Sequence, residues 1–295
     1  MSYISFFKDR FIPTDEINLN FRDNFLSIVR GYQVFTFFKT IDGGKPLFLD
    51  HHIKRLLKNT ETMGMKIEQS YDDIEQLVFD TIAENNSSTG EFSIMIAFLG
   101  GKPVIGSDLY SNSPMDILVL VNPIRIYPAE FYSKGITVGL FEFQRHYAEI
   151  KAPFTYIGGL LAQNAIIKNG DYDEVLYVSN GNVLEGTTFS FFAINHNGVV
   201  LTAPTDGNIL RSVTRSALLN VIKKEEMKFE ERDLPIDEMH SCKEAFIVSS
   251  TRDIIPVVSV DNHTIGDGLV GESTKKLMEL YQKEILELVS NRNNV

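Results

Sequence analysis

The chain has 295 residues, 43% of them hydrophobic, which is enough for a large core and favours two domains over one. Its formal net charge of -11 argues against a nucleic-acid-binding or anionic-membrane surface, because both need a basic face. Cys242 is the single cysteine, so no internal disulfide can form, and a lone thiol fits a reducing, cytoplasmic setting.

In chain order, Met1–Arg10 lacks the long apolar run of a secretory signal. Tyr32–Thr40, rich in aromatic and β-branched residues, predicts a strand ending at the turn Asp42-Gly43-Gly44, with a second strand over Pro46–Leu49 completing a hairpin. Ile53, Leu56, Leu57 and Thr60 mark one face of a helix, and a second helix is predicted over Tyr71–Glu84. The Asn-x-Ser sequons at Asn85 and Asn86 read as a polar turn. Strands follow over Phe92–Leu99 and Met115–Val121. Asn122-Pro123 and Tyr127-Pro128 then break the pattern, which predicts a small α/β domain over 1–121, a linker over 122–133 and a larger domain over 134–295. In that second half, Ile136–Phe143 alternates as a strand, and Thr155–Lys168 reads as a helix capped by Asn169-Gly170. Hairpins turn at Asn180-Gly181-Asn182 and at His196-Asn197-Gly198. Val213–Val221 is helical, Glu244–Ser249 a strand and Ser273–Leu288 a last helix. No stretch approaches the ~20 apolar residues of a bilayer span.

The usual chemical fingerprints are missing. Gly43-Gly44-Lys45 and Gly100-Gly101-Lys102 lack phosphate-loop spacing and read as turns. His51-His52 is the only histidine pair, and neighbours on a helix point to different faces, so no metal site is expected. Five separated segments stand out instead: Phe48-Leu49-Asp50-His51-His52-Ile53-Lys54-Arg55-Leu56; Ile150-Lys151-Ala152-Pro153-Phe154-Thr155-Tyr156; Leu184-Glu185-Gly186-Thr187-Thr188; Ile209-Leu210-Arg211-Ser212-Val213-Thr214-Arg215; and Val248-Ser249-Ser250-Thr251-Arg252-Asp253-Ile254-Ile255-Pro256-Val257, followed by Ile265-Gly266-Asp267-Gly268.

Together, and in this order, these segments resemble the class IV aminotransferases. These are the fold-type IV pyridoxal-phosphate enzymes, which include branched-chain and D-amino-acid aminotransferases and aminodeoxychorismate lyase. The resemblance runs from about residue 30 to the C-terminus. It implies a mixed α/β (α+β) fold with a small α/β N-terminal domain and a larger pseudo-barrel C-terminal domain that carries the cofactor lysine. It also implies pyridoxal 5'-phosphate as cofactor, an amino acid and a 2-oxo acid as substrates, and a homodimer.

The cofactor needs a lysine amine able to lose its proton, and by resemblance this is Lys151. A carboxylate beside the ring nitrogen keeps a proton there, and Glu185 holds the matching position. Tyr156 matches the tyrosine that bonds the cofactor's phenolic oxygen, and Leu210 the apolar residue on the ring face. For the phosphate, Arg55, the helix start at Val213 and Thr214, and the hydroxyl pair Ser249 and Ser250 match the family pattern. Outside the motif context each would be an ordinary surface or core residue.

The departures fall on the substrate side. Phe35-Thr36-Phe37 stands where many members read Phe-Glu-Thr, and the strand Phe92–Leu99 has none of the charged residues that trap a substrate carboxylate. Ser190 and Ser212 replace a common Asn and Gly. Tyr32, Arg145 and His146 are therefore the candidate substrate contacts. The resemblance favours an aminotransferase, branched-chain-like or D-amino-acid-like. The alternatives are a lyase that releases pyruvate and a non-catalytic relative that kept the fold.

Overall fold

The computed structural model describes residues 2–85, 91–105, 109, 111–166, 170 and 172–291. The chain divides into two compact units, Met1–Arg125 with Ile150–Phe154, and Ile126–Glu149 with Thr155–Val295.

In the first unit the strands are β1 (Ile4–Phe7), β2 (Arg10–Pro13), β3 (Gln33–Ile41), β4 (Lys45–Pro46), β5 (Phe92–Leu99) and β6 (Asp116–Pro123); the helices are α1 (Phe25–Arg30), α2 (Leu49–Thr62) and α3 (Tyr71–Ala83). The strands form one antiparallel sheet in the order β2-β1-β6-β5-β3-β4. Strict alternation along β3 buries Val34, Thr36, Phe38 and Thr40 on one face. That face packs with Ile94, Ile96, Val119 and Val121 against Leu49, Ile53 and Leu56 of α2 and Ile74, Val78 and Ile82 of α3. The opposite face, with Phe35, Met95, Ala97, Leu118 and Phe7, forms a second cluster. Ser70 and Asp73 cap α3 reciprocally.

Three expectations change here. The strand predicted over Pro46–Leu49 is only Lys45–Pro46. Leu49 instead opens α2, because its side chain is buried four residues before Ile53, on the helical stripe. Asn85 does lie in a turn, after α3, but it is buried and not a solvated surface residue: its side chain accepts from the Ile4 N–H at 2.8 Å and donates to the carbonyls of Ile4 and Thr81. Asn86 lies outside the described residues. The third change concerns the lysine segment, expected in the second domain: Ile150–Phe154 packs with the first unit. Ile150 and Ala152 enter its core, the Phe35 N–H donates to the Lys151 carbonyl at 3.0 Å, and the Lys151 N–H donates to Asn59 Oδ1 at 2.9 Å.

The second unit contains α4 (Ala129–Ser133), β7 (Ile136–Glu142), α5 (Ile157–Ala165), β8 (Glu174–Ser179), β9 (Asn182–Gly186), β10 (Ser190–Ile194), β11 (Val200–Thr202), α6 (Val213–Lys224), β12 (Phe229–Glu231), β13 (Leu234–Pro235), α7 (Ile236–His240), β14 (Glu244–Ser249), β15 (Asp253–Val260), β16 (His263–Thr264) and α8 (Glu272–Asn291). The strand order is β12-β11-β10-β14-β15-β7-β8-β9-β13, with β16 on β15. A further pairing, Ser190 with Glu185, joins β10 to β9 and closes the six strands β10-β14-β15-β7-β8-β9 into a ring, the pseudo-barrel implied by the resemblance.

Pro256 sits inside β15, where a proline is normally excluded. It is tolerated because β15 meets β7 only from Val257 onward, so no ladder bond from position 256 toward that neighbour is lost. The helix predicted from Thr155 starts at Ile157, after a short 3₁₀ turn over Pro153–Tyr156. Gly158 lets α5 lie on Phe143, because a Cβ there would collide with that ring. Asn169 of the predicted cap lies outside the described residues. Among the described residues no helix is long and apolar enough to cross a membrane.

Candidate active site

In the first unit, α2 places His52 and Arg55 one turn apart on the side that faces β3. An Arg55 terminal nitrogen donates to Thr36 Oγ1 at 2.9 Å, and Thr36 Oγ1 lies 2.7 Å from His52 Nδ1. His52 is 1% exposed. Burial, reinforced by the nearby charges of Arg55, Lys151 and His51, holds it well below the ordinary histidine range, so it is neutral. Arginine can only donate. The Thr36 hydroxyl therefore accepts from Arg55, and the direction of its bond with His52 Nδ1 follows the histidine tautomer. Lys151 is held by backbone bonds to Asn59 and Phe35, and its Nζ stands 5.1 Å from the Phe35 ring centroid. The result is two cations around a histidine that carries no charge, a setting suited to an anionic ligand.

In the second unit, Glu185 near the end of β9 is only 4% exposed. Its Oε1 accepts the Leu210 N–H at 3.2 Å and lies 3.7 Å from Arg145 Nε. Arg145 is itself 5% exposed. It donates to the carbonyls of Gly186 and Thr187, and its guanidinium lies 5.0 Å from the Tyr156 ring centroid and 5.5 Å from that of Tyr177. Elsewhere in the unit, Ser212 caps α6 by accepting the Arg215 N–H. Val213 and Thr214 follow in the first turn, and Thr214 Oγ1 is 2.9 Å from Ser250 Oγ. Ser249 Oγ is buried and has no hydrogen-bond partner among the described residues. Arg252 pairs with Glu174 at 2.7 Å and donates to Thr188 Oγ1 at 3.0 Å, which ties down the turn that follows these serines.

The candidate substrate contacts separate. Tyr32 directs its hydroxyl to the carbonyls of Met63 and Gly64. His146 is exposed. Arg145 belongs to the wall behind Glu185, bonded to backbone carbonyls.

Comparison with known proteins gives this geometry its context. Residues 33–260 match the family described as amino-transferase class IV. The chain belongs to the class IV aminotransferase family. Among its relatives is a probable branched-chain-amino-acid aminotransferase of Aquifex aeolicus, 25% identical over 94% of this chain and 90% of that one. Another is the D-alanine aminotransferase of Staphylococcus epidermidis, 23% identical over 95% and 97%. The solved structure of the branched-chain aminotransferase from the archaeon Thermoproteus uzoniensis with norvaline has the same fold, with a TM-score of 0.86, 21% identity, and coverage of 97% of this chain and 96% of that one.

Class IV aminotransferases use pyridoxal phosphate, and the residues of this enzyme fit it. A buried carboxylate suits a protonated ring nitrogen. In the second unit the buried Ser249 hydroxyl and the Thr214–Ser250 pair at a helix start suit a phosphate; in the first unit the Arg55 guanidinium suits an anion. Sequence reasoning missed Thr36, Asn59 and Arg252 and gave His52 no role. The signals were partly present: Thr36 is the departure in Phe35-Thr36-Phe37, and His52 lies three residues before Arg55. Asn59 and Arg252 carried no sequence signal, since their partners are 92 and 78 positions away.

Proposed function

We propose that this aminotransferase uses Lys151 to hold pyridoxal phosphate and moves an amino group between an apolar amino acid, branched-chain-like or D-amino-acid-like, and a 2-oxo acid. The observation that carries the reading is the pair of clusters with opposite needs: an amine and a guanidinium beside a neutral histidine, and a buried carboxylate backed by arginine. Pyridoxal phosphate, when bound, supplies an electron-accepting ring and a carbon that takes up the amino group. Lys151 Nζ binds it and moves a proton at the substrate α-carbon. Glu185 holds a proton on the ring nitrogen, Tyr156 bonds the phenolic oxygen, and Leu210 covers a ring face. Arg55, the N–H groups of Val213 and Thr214, and the hydroxyls of Thr214, Ser249 and Ser250 hold the phosphate. Tyr32 and His146 remain the candidates for the substrate. The names of the Aquifex and Staphylococcus relatives support both substrate classes.

Phe35, Phe37, Met95 and Ala97, uncharged and in register on one face of β3 and β5, support an apolar side chain over an acidic one. A panel of L- and D-amino acids with 2-oxo acids tests this: a new amino acid is the expected product, and release of pyruvate without one contradicts it. The enzyme is further proposed to be a homodimer, because Ile157, Leu160 and Leu161 of α5 are exposed together. A sedimentation mass of one chain contradicts that. A cytoplasmic location is the reading that the single buried thiol of Cys242 supports.

A further inference from the structure

We propose that Arg145 is a positioning residue that keeps Glu185 ionised, so that a proton shared between Glu185 and a ligand nitrogen resides on the ligand. The inference rests on the reading above in which Glu185 faces the ring nitrogen.

Its basis is local and lies wholly within the second unit. An ionised carboxylate that is only 4% exposed needs compensation. Two groups offer it at the same oxygen: the Leu210 N–H, 3.2 Å from Glu185 Oε1, and Arg145 Nε at 3.7 Å. Both favour the charged form of the carboxylate. The rest of Arg145 is committed to holding that position. One terminal nitrogen donates to the carbonyls of Gly186 and Thr187, the two residues after Glu185, and the aromatic rings of Tyr156 and Tyr177 lie beside the guanidinium. Burial raises the Tyr177 hydroxyl above the ordinary tyrosine range, so this neighbour stays neutral and adds no competing anion. The fixed cation lies next to the carboxylate. A proton on Glu185 is therefore repelled more than one that has moved to the ligand. This role replaces the substrate contact expected for Arg145 from the sequence.

The test separates charge from scaffold by ligand choice. Cofactor-free enzyme is titrated with pyridoxal phosphate and with its deaza analogue, in which a C–H replaces the ring nitrogen and no proton can be shared. The readout is the ratio of the two dissociation constants. Arg145→Gln keeps amide donors for the carbonyls but removes the charge, and it should shrink the preference for pyridoxal phosphate by about tenfold, the equivalent of one pKa unit. Arg145→Lys keeps the charge and should hold the ratio near that of the unchanged enzyme. If Arg145→Gln weakens both ligands equally, or if Lys fails where Gln succeeds, Arg145 is only a scaffold and the proposal fails. Glu185→Gln provides the separate control. It should also collapse the ratio, and an unchanged ratio there would overturn the reading of Glu185 itself. Thermal melting of each variant confirms that a folded protein is being titrated.

Discussion

The first unit gathers Arg55 and Lys151 around a histidine, whereas the second buries one carboxylate beside one guanidinium. The same physics gives opposite outcomes. In the first cluster the surrounding charges are positive, so His52 gives up its proton and the cluster keeps a net positive charge to offer an outside anion. In the second, Arg145 and Glu185 lie in an ion pair at 3.7 Å, and what Glu185 has left to offer is a hydrogen-bonding direction. The first cluster is left with positive charge, and the second is internally paired.

Breaking each cluster sharpens the contrast. The largest effect is expected for Lys151→Ala, which should lower transamination by about 10²–10⁴-fold or more while thermal melting stays close to that of the unchanged enzyme. Glu185→Ala should cost about 3–5 kcal/mol of stability, because it leaves the Arg145 charge buried without its carboxylate. Urea unfolding measures this, and a loss below about 1 kcal/mol would mean the pair is hydrated rather than buried.

Glu244, a second buried carboxylate of the same unit, calibrates that figure. It is satisfied by the N–H groups of Ser273 and Thr274 and the Thr274 hydroxyl at the start of α8, with no arginine among these partners. Glu244→Ala should cost about 1–3 kcal/mol. Burial works to raise the Glu244 pKa, but these bonds outweigh it and hold the group below its usual 4.5. Its contribution is therefore present above pH 4.5 and disappears as the folded-state carboxylate is protonated in stronger acid. The stability gap between Glu244→Ala and the unchanged enzyme should close on acidification.

The smallest effect concerns His52. Its folded-state pKa lies well below 6.5, so acidification protonates the unfolded chain first. Unfolding free energy should fall with pH below 6.5 more steeply than in His52→Gln, by about 1 kcal/mol over the first unit. Parallel curves would show that His52 is charged in the folded enzyme.

How legible each feature is in the sequence follows from the range over which it is encoded. Period-2 burial in β3 and the 3.6-residue stripe of α2 are local, so those elements were predicted to within a few residues. Leu49 was misassigned because one apolar residue fits the end of a strand as well as the start of a helix. The positions of Lys151, Glu185, Arg55 and Thr214 came from motif order, not from any local rule. The roles of Asn59, Arg145 and Arg252 depend on backbone or carboxylate partners brought close only by the fold. Arg145 is the clearest case: a charged residue shortly before the key lysine suggests a substrate contact, and only its bonds to Gly186 and Thr187 reveal a wall residue. The packing of Ile150–Phe154 with the first unit was likewise hidden, because it rests on the long-range bonds from Phe35 and to Asn59.

The central claim is that Lys151 holds the cofactor, and borohydride reduction of the holoenzyme followed by peptide mass mapping tests it most directly. The account predicts a reduced pyridoxyl-phosphate adduct on the peptide containing Lys151 and its loss in Lys151→Ala. An adduct on any other lysine, or none on Lys151, would contradict it.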